Sequence, residues 1–172
     1  LNKYIYIYIY IYIYMYIHID SYIYMLIKIE IYKRIYNRFD YIKEKHICYL
    51  MNTSPLLKTS TLQRAVNVYE KLNFSKFDGL NTFEIVKDFL WDKKKPINYK
   101  LSKQPMSQNL SGIFKHVPAI AIMSKEKIIK YKNVLGKKPY KMLLTKPESF
   151  DIDTMHDFKL AELYYKNKKK PL

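Results

Sequence analysis

Two carboxylates, Asp151 and Asp153, stand at i and i+2 in the run Pro147-Glu-Ser-Phe-Asp-Ile-Asp-Thr-Met-His-Asp-Phe-Lys-Leu-Ala-Glu162. On an extended segment this spacing aims both side chains to one side. Two acids aimed at one spot repel unless a cation sits between them or one takes up a proton. Mg²⁺, a hard ion that takes carboxylate oxygens together with substrate phosphates, suits such a pair. The bland alternative is a pair of surface acids at a strand end. Thr154 and Asp157 form a capping-box pattern with Asp at the usual Glu/Gln position, so both are assigned to the helix that follows and not to chemistry.

Other chemistries find little support. His18, His46, His116 and His156 show no metal-ligand spacing. The three glycines, Gly79, Gly112 and Gly136, belong to no Gly-rich phosphate loop. Cys48 is the single cysteine and lies in an apolar run, so it reads as a buried strand residue in a reducing, cytoplasmic setting.

The elements that must position the acid pair follow from periodicity. Ile47 to Met51 is a short apolar run, expected as a buried strand that ends at Thr53-Ser-Pro. Thr59, Ser60 or Thr61 can cap a helix in which Leu62, Ala65, Val66, Tyr69 and Leu72 make one apolar stripe. Leu80 to Val86 predicts a strand. Residues 92–112, with Pro96 and Pro105, predict an excursion from the sheet. Ile113 to Met123 predicts a strand bent or broken at Pro118. Ser124 opens a short helix expected to end near Gly136, a C-cap position. Pro139 to Thr145 is strand-like, and the last helix is expected to pack Phe158, Ala161 and Tyr165 on the sheet. Strands alternating with helices indicate an α/β layer fold.

The first 46 residues differ in kind. Residues 4–17 are almost pure Tyr-Ile alternation, the product expected of a translated AT repeat. Both alternating residues are bulky, so neither face is a natural solvent face, and the run has the composition of an aggregating segment. The uncharged stretch stops at His18 and Asp20, short of the ~20 residues a spanning helix needs. We read residues 1–46 as low-complexity sequence, 47–167 as a partial domain and 168–172 as a basic tail. The chain carries 31 Lys+Arg against 15 Asp+Glu, a net charge of +16. Such a balance raises nucleic acid or an anionic membrane surface as partners. The lysines are scattered rather than striped, however, and the two clusters, Lys93-Lys94-Lys95 and Lys168-Lys169-Lys170, read as a turn and a frayed tail, so neither partner is expected.

Three stretches together resemble one family. Residues 147–162 resemble the C-terminal signature of the acylneuraminate cytidylyltransferases, which make CMP-sialic acid and related CMP-sugars. Cys48-Tyr-Leu-Met-Asn-Thr-Ser-Pro-Leu-Leu57 is similar to that family's strand and Thr-Ser-Pro-Leu turn. Phe89-Leu-Trp-Asp-Lys93 through Ser107-Gln-Asn-Leu110 is similar to its middle region, a substrate-contacting segment and part of its dimer contact. The resemblance implies the C-terminal part of a Rossmann-like nucleotidyltransferase fold, with CMP transferred from CTP to a sialic-acid-like sugar acid and pyrophosphate released. It implies Mg²⁺ on Asp151 and Asp153, substrate contacts from Thr53, Ser54 and Gln108, and a homodimer through 89–112. Thr53 and Ser54 read equally well as a turn leading into a helix, and Gln108 as a loop residue. Met51, Asn52, Met106 and Val117-Pro118 depart from the family's usual residues, which bears on the choice of sugar acid. The family's Arg/Gly/Ser/Lys nucleotide loop has no counterpart before Cys48, so the expectation is a truncated chain, inactive alone. The alternative is a non-catalytic, association-prone remnant.

Overall fold

The computed structural model describes residues 5–9 and 43–167, with only the backbone given for 5–9. Most of the low-complexity segment and the expected basic tail, 168–172, lie outside the described residues. Among the described residues five strands form one mixed sheet: β1 (Ile5–Ile9), β2 (His46–Leu50), β3 (Gly79–Val86), β4 (Ile113–Ser124) and β5 (Pro139–Leu143), in the order β1-β2-β4-β3-β5. β4 runs antiparallel to both β2 and β3, while β1 on β2 and β5 on β3 are parallel. Among the described residues three helices accompany it: α1 (Thr59–Glu70), α2 (Lys125–Tyr131) and α3 (Met155–Asn167). The chain is therefore α/β, as its alternating elements predict.

Successive strand residues point to opposite faces, and the chain uses both. Cys48 and its neighbour Ile122 on β4 join Leu80, Ala65 and Tyr69 in the larger core under α1, with Leu62, Val66 and Leu72 of the predicted stripe packed against it. Ile47 and its partner Met123 face the other way and pack on Ile128 of α2. Both faces being covered explains why Ala119 to Met123 is an unbroken buried run rather than an alternating one.

At Pro118 the strand bends as predicted. Asn81 pairs with Ala121 but Phe83 pairs with His116, so β4 carries extra residues opposite Thr82. The fully buried Thr82 hydroxyl fills the gap: Oγ1 donates to the Val117 carbonyl (2.7 Å), approaches the Ile120 carbonyl (3.2 Å) and accepts from the Ile120 N–H (3.0 Å).

The outer edge of β5 is blunted at both ends. Leu144 donates to the Phe83 carbonyl, which turns the polar groups of Leu143 outward in a parallel ladder. Arg64 of α1 takes that outward Leu143 carbonyl at 3.2 Å, and Pro139 brings no N–H.

Several expectations need correction. No side chain of Thr59, Ser60 or Thr61 caps α1; Lys58 stands at the N-cap without a side-chain bond. α2 stops at Tyr131, five residues before Gly136, because Lys132 takes the left-handed conformation (φ 52°). Gly136 (φ 78°) serves the following turn instead, where a Cβ would lie 2.5 Å from Asp78 Oδ1. On α3 only Ala161 is buried, while Phe158 and Tyr165 are exposed. Their helical spacing is kept, but the described elements leave these two side chains uncovered. Among the described residues no helix is long and apolar enough to cross a membrane.

Two predictions follow from this packing. Thr82→Val strips the bulge of its hydroxyl and leaves the Ile120 N–H unpaired. Urea unfolding should show a loss of about 2–3 kcal/mol. His46, whose Nδ1 lies 2.8 Å from the Tyr69 hydroxyl, and His116 are both held below the ordinary histidine pKa. Burial is the main cause for each, with Lys45 adding to it at His46. The unfolded chain therefore binds protons first on acidification. Stability should be fully present above about pH 6.5 and decline as pH falls toward the folded-state values, and removing either histidine should flatten that slope.

Candidate functional site

Two segments far apart in sequence meet beyond the end of β2. The first is the turn after the strand, where Met51 donates to the Ala119 carbonyl and Ser54 to the Met51 carbonyl (3.1 and 3.3 Å). The second follows β5. After a cis Lys146–Pro147 bond, Glu148 and Ser149 donate to the Thr145 carbonyl (2.9 and 3.3 Å) and Phe150 to that of Pro147 (3.1 Å). One backbone bond joins them: Ile152 N–H to the Thr53 carbonyl, 2.9 Å. Thr53 and Ser54 are thereby brought beside the Asp151–Asp153 segment.

The junction is rich in buried polar atoms without a protein partner. Asn52 Nδ2, Thr53 Oγ1, Ser54 Oγ, Glu148 Oε2, Ser149 Oγ and Asp151 Oδ1 are all of this kind. Buried polar groups are nearly always satisfied, so such a concentration marks a place for ordered water, an ion or a ligand group. Asn52, Glu148 and Ser149 were given no role at the site by sequence reasoning, although Asn52 lies in the quoted 48–57 stretch and the other two in 147–162.

The acid pair itself is split between environments. Residues 151–153 form no regular strand. Asp151 is half-buried with one oxygen sealed from solvent, and Asp153 is exposed. Asp157 closes the expected capping box: its Oδ2 accepts from the N–H groups of Asp153 (3.3 Å) and Thr154 (2.8 Å) and from the Thr154 hydroxyl (2.7 Å). In return Asp157 N–H donates to Thr154 Oγ1 at 3.2 Å. The Thr154 hydroxyl, with those N–H groups, holds the Asp157 carboxyl below the usual carboxylate range.

Glu148 does the work that no cap residue of α1 does. Its Oε1 lies 3.2 Å from Lys58 Nζ at the start of that helix. Burial alone would raise its carboxyl. The Thr61 hydroxyl and the Lys58 ammonium and backbone N–H outweigh this and hold it below the usual range. Gln108 stands elsewhere, exposed in a short 3-10 turn (Ser107–Asn109) with its Nε2 3.8 Å from Met106 Sδ. The structure does not bring it to the polar junction.

Among the described residues no three His, Cys, Asp or Glu side chains gather into a ready-made metal cage. Mg²⁺ does not require one, since it binds through one or two carboxylates and leaves its remaining positions to water and phosphate. Asp151, with an unpartnered oxygen, fits that role, and Asp153 two residues on is free to join it. An open groove of about 540 Å³ between α1 and β5 is lined by Ser60, Gln63, Arg64, Asn67, Lys71 and Tyr140 among others, and by none of the junction residues. Comparison of the chain with protein-family models and with curated proteins finds no match in either.

Glu148→Gln should cost about 1–2 kcal/mol at pH 7 by urea unfolding, from a weakened contact to Lys58 and the helix terminus. Because the folded-state pKa is depressed, this contribution exists above the ordinary glutamate value. It vanishes as pH falls through the folded one. Wild type and variant should therefore converge as pH falls below the folded-state value.

Proposed function

We infer that this chain carries part of a CMP-transfer site of the acylneuraminate cytidylyltransferase type, on the C-terminal part of a Rossmann-like nucleotidyltransferase fold. The observation that carries the reading is the junction itself. The Thr-Ser-Pro turn and the Asp-Ile-Asp segment, which resemble that family separately, are tied together by the Ile152–Thr53 bond amid unpartnered buried polar atoms. The reaction is displacement of pyrophosphate from CTP by a hydroxyl of a sialic-acid-like sugar acid. Asp151 and Asp153 would hold Mg²⁺, which when bound neutralises charge on phosphate oxygens. Thr53 and Ser54 orient a substrate hydroxyl by hydrogen bonding. Gln108 contributes only if residues 87–112 fold toward the junction when substrate binds.

The second reading is a non-catalytic remnant. It is favoured by the split environments of Asp151 and Asp153 and by the position of the groove away from both. Cation binding separates the two readings without requiring turnover. Mn²⁺ titrated into the chain with CTP present should broaden resonances of residues near 53 and 151, and Asp151→Asn with Asp153→Asn should abolish the effect. Any pyrophosphate released from CTP and a sugar acid should need the metal and disappear in Asp153→Ala. Broadening that persists in the double variant would remove the metal role. Absence of both binding and turnover in the wild-type chain would leave the remnant reading.

A further inference from the structure

Between β3 and β4 the chain leaves the sheet as an arm, residues 87–112, held by its own polar bonds. Asn98 accepts from Leu90 N–H (3.1 Å) and donates to the carbonyls of Asp88 (2.8 Å) and Ser111 (3.2 Å), stapling the base. Trp91 and Pro96 form a bridge around a tight turn. In that turn Asp92 Oδ1 accepts from the N–H groups of Lys94 (2.6 Å) and Lys95 (2.8 Å). Those bonds fix the backbone and leave Lys93, Lys94 and Lys95 displayed at the tip. Neither these three nor Lys100 and Lys103 has a carboxylate partner among the described residues. With Lys87 the arm carries six lysines, three of them consecutive in the sequence.

The same arm exposes apolar side chains. Ile97, Leu101 and Met106 are each more than half exposed and Trp91 is half exposed. The Trp91 indole N–H is bonded to the Tyr99 hydroxyl at 2.6 Å, so this ring is held in place. A patch of this kind calls for an occupant.

We propose that the arm docks on an anionic bilayer surface. Its lysines meet lipid phosphates and carboxylates, while Trp91, Ile97, Leu101 and Met106 enter the interfacial layer. Charge complementarity selects this occupant: unpaired lysines beside aliphatic and indole groups are the combination that binds acidic headgroups and the acyl boundary together. A nucleic acid would use the lysines and could stack on Trp91, but it would leave Ile97, Leu101 and Met106 facing water. A second copy of the chain, the occupant implied by the family resemblance, would in a two-fold contact press like-charged arms against each other.

The test is co-sedimentation of the full chain with phosphatidylcholine vesicles, with or without about a third phosphatidylserine. Partition is expected onto the anionic vesicles only, weakening as salt rises. Lys93→Gln, Lys94→Gln and Lys95→Gln together should lower it roughly a hundredfold. Ile97→Ser with Leu101→Ser should lower it with the charge unchanged, and far-UV circular dichroism confirms that each variant folds. Binding that survives both sets of variants belongs to another part of the chain and overturns the proposal, as does absence of binding. Binding insensitive to Ile97→Ser and Leu101→Ser and matched by a single-stranded oligonucleotide would assign the arm to nucleic acid. A dimer in sedimentation velocity that these serine variants dissociate would assign it to a second copy.

Discussion

The Thr82 hydroxyl holds the centre of this structure together. Among the described strands β4 alone has an antiparallel neighbour on each side, and it accommodates Pro118 with a bulge opposite β3. A bulge inside a buried sheet strands polar backbone groups where no water reaches them. Thr82 answers with one oxygen that bonds at Val117 and Ile120. Because the bulge is fixed, the register beyond it is fixed too. Ala119 then offers its carbonyl to Met51, and the turn carrying Thr53 and Ser54 starts where it does.

From that turn the remaining architecture needs few further commitments. A single amide, that of Ile152, closes the 147–153 segment onto the Thr53 carbonyl. Glu148, in the same segment, reaches the start of α1 and replaces the cap which the local sequence does not supply. Helix, turn and acid-bearing segment thus share one polar junction, and a change in any of them is felt by the others. The two faces of the sheet are less entangled: α2 rests on a small cluster around Met123, and the larger core lies under α1.

Periodicity made the strands and the α1 stripe readable, because burial on a sheet or helix face imposes spacing on apolar residues. The Thr154–Asp157 box was equally readable, since both partners are local. What escaped were features decided at a distance. Nothing near Lys58 announces that Glu148 will serve its helix. Lys132 gives no local sign that it will take a left-handed conformation and end α2 before the glycine. The helical spacing of Phe158 and Tyr165 suggested burial, yet spacing on one helix cannot say whether a neighbour is there to cover it. For the candidate site, sequence named Thr53, Ser54 and Asp151, while Asn52, Glu148 and Ser149 lay in the same stretches without a role until the fold enclosed their polar atoms. Gln108 shows the opposite case, a residue matched by its motif but held on the arm.

Cys48 gives the molecule a built-in timepiece. Its thiol is wholly enclosed at the centre of the larger core, and burial pushes its pKa up to about 12. In the folded chain it is thus shielded from electrophiles twice, by lack of access and by lack of thiolate. Each encounter with a thiol reagent must wait until α1 lifts from the face of the sheet that Cys48 occupies. The single cysteine therefore records, one modification per molecule, how often the heart of the sheet opens.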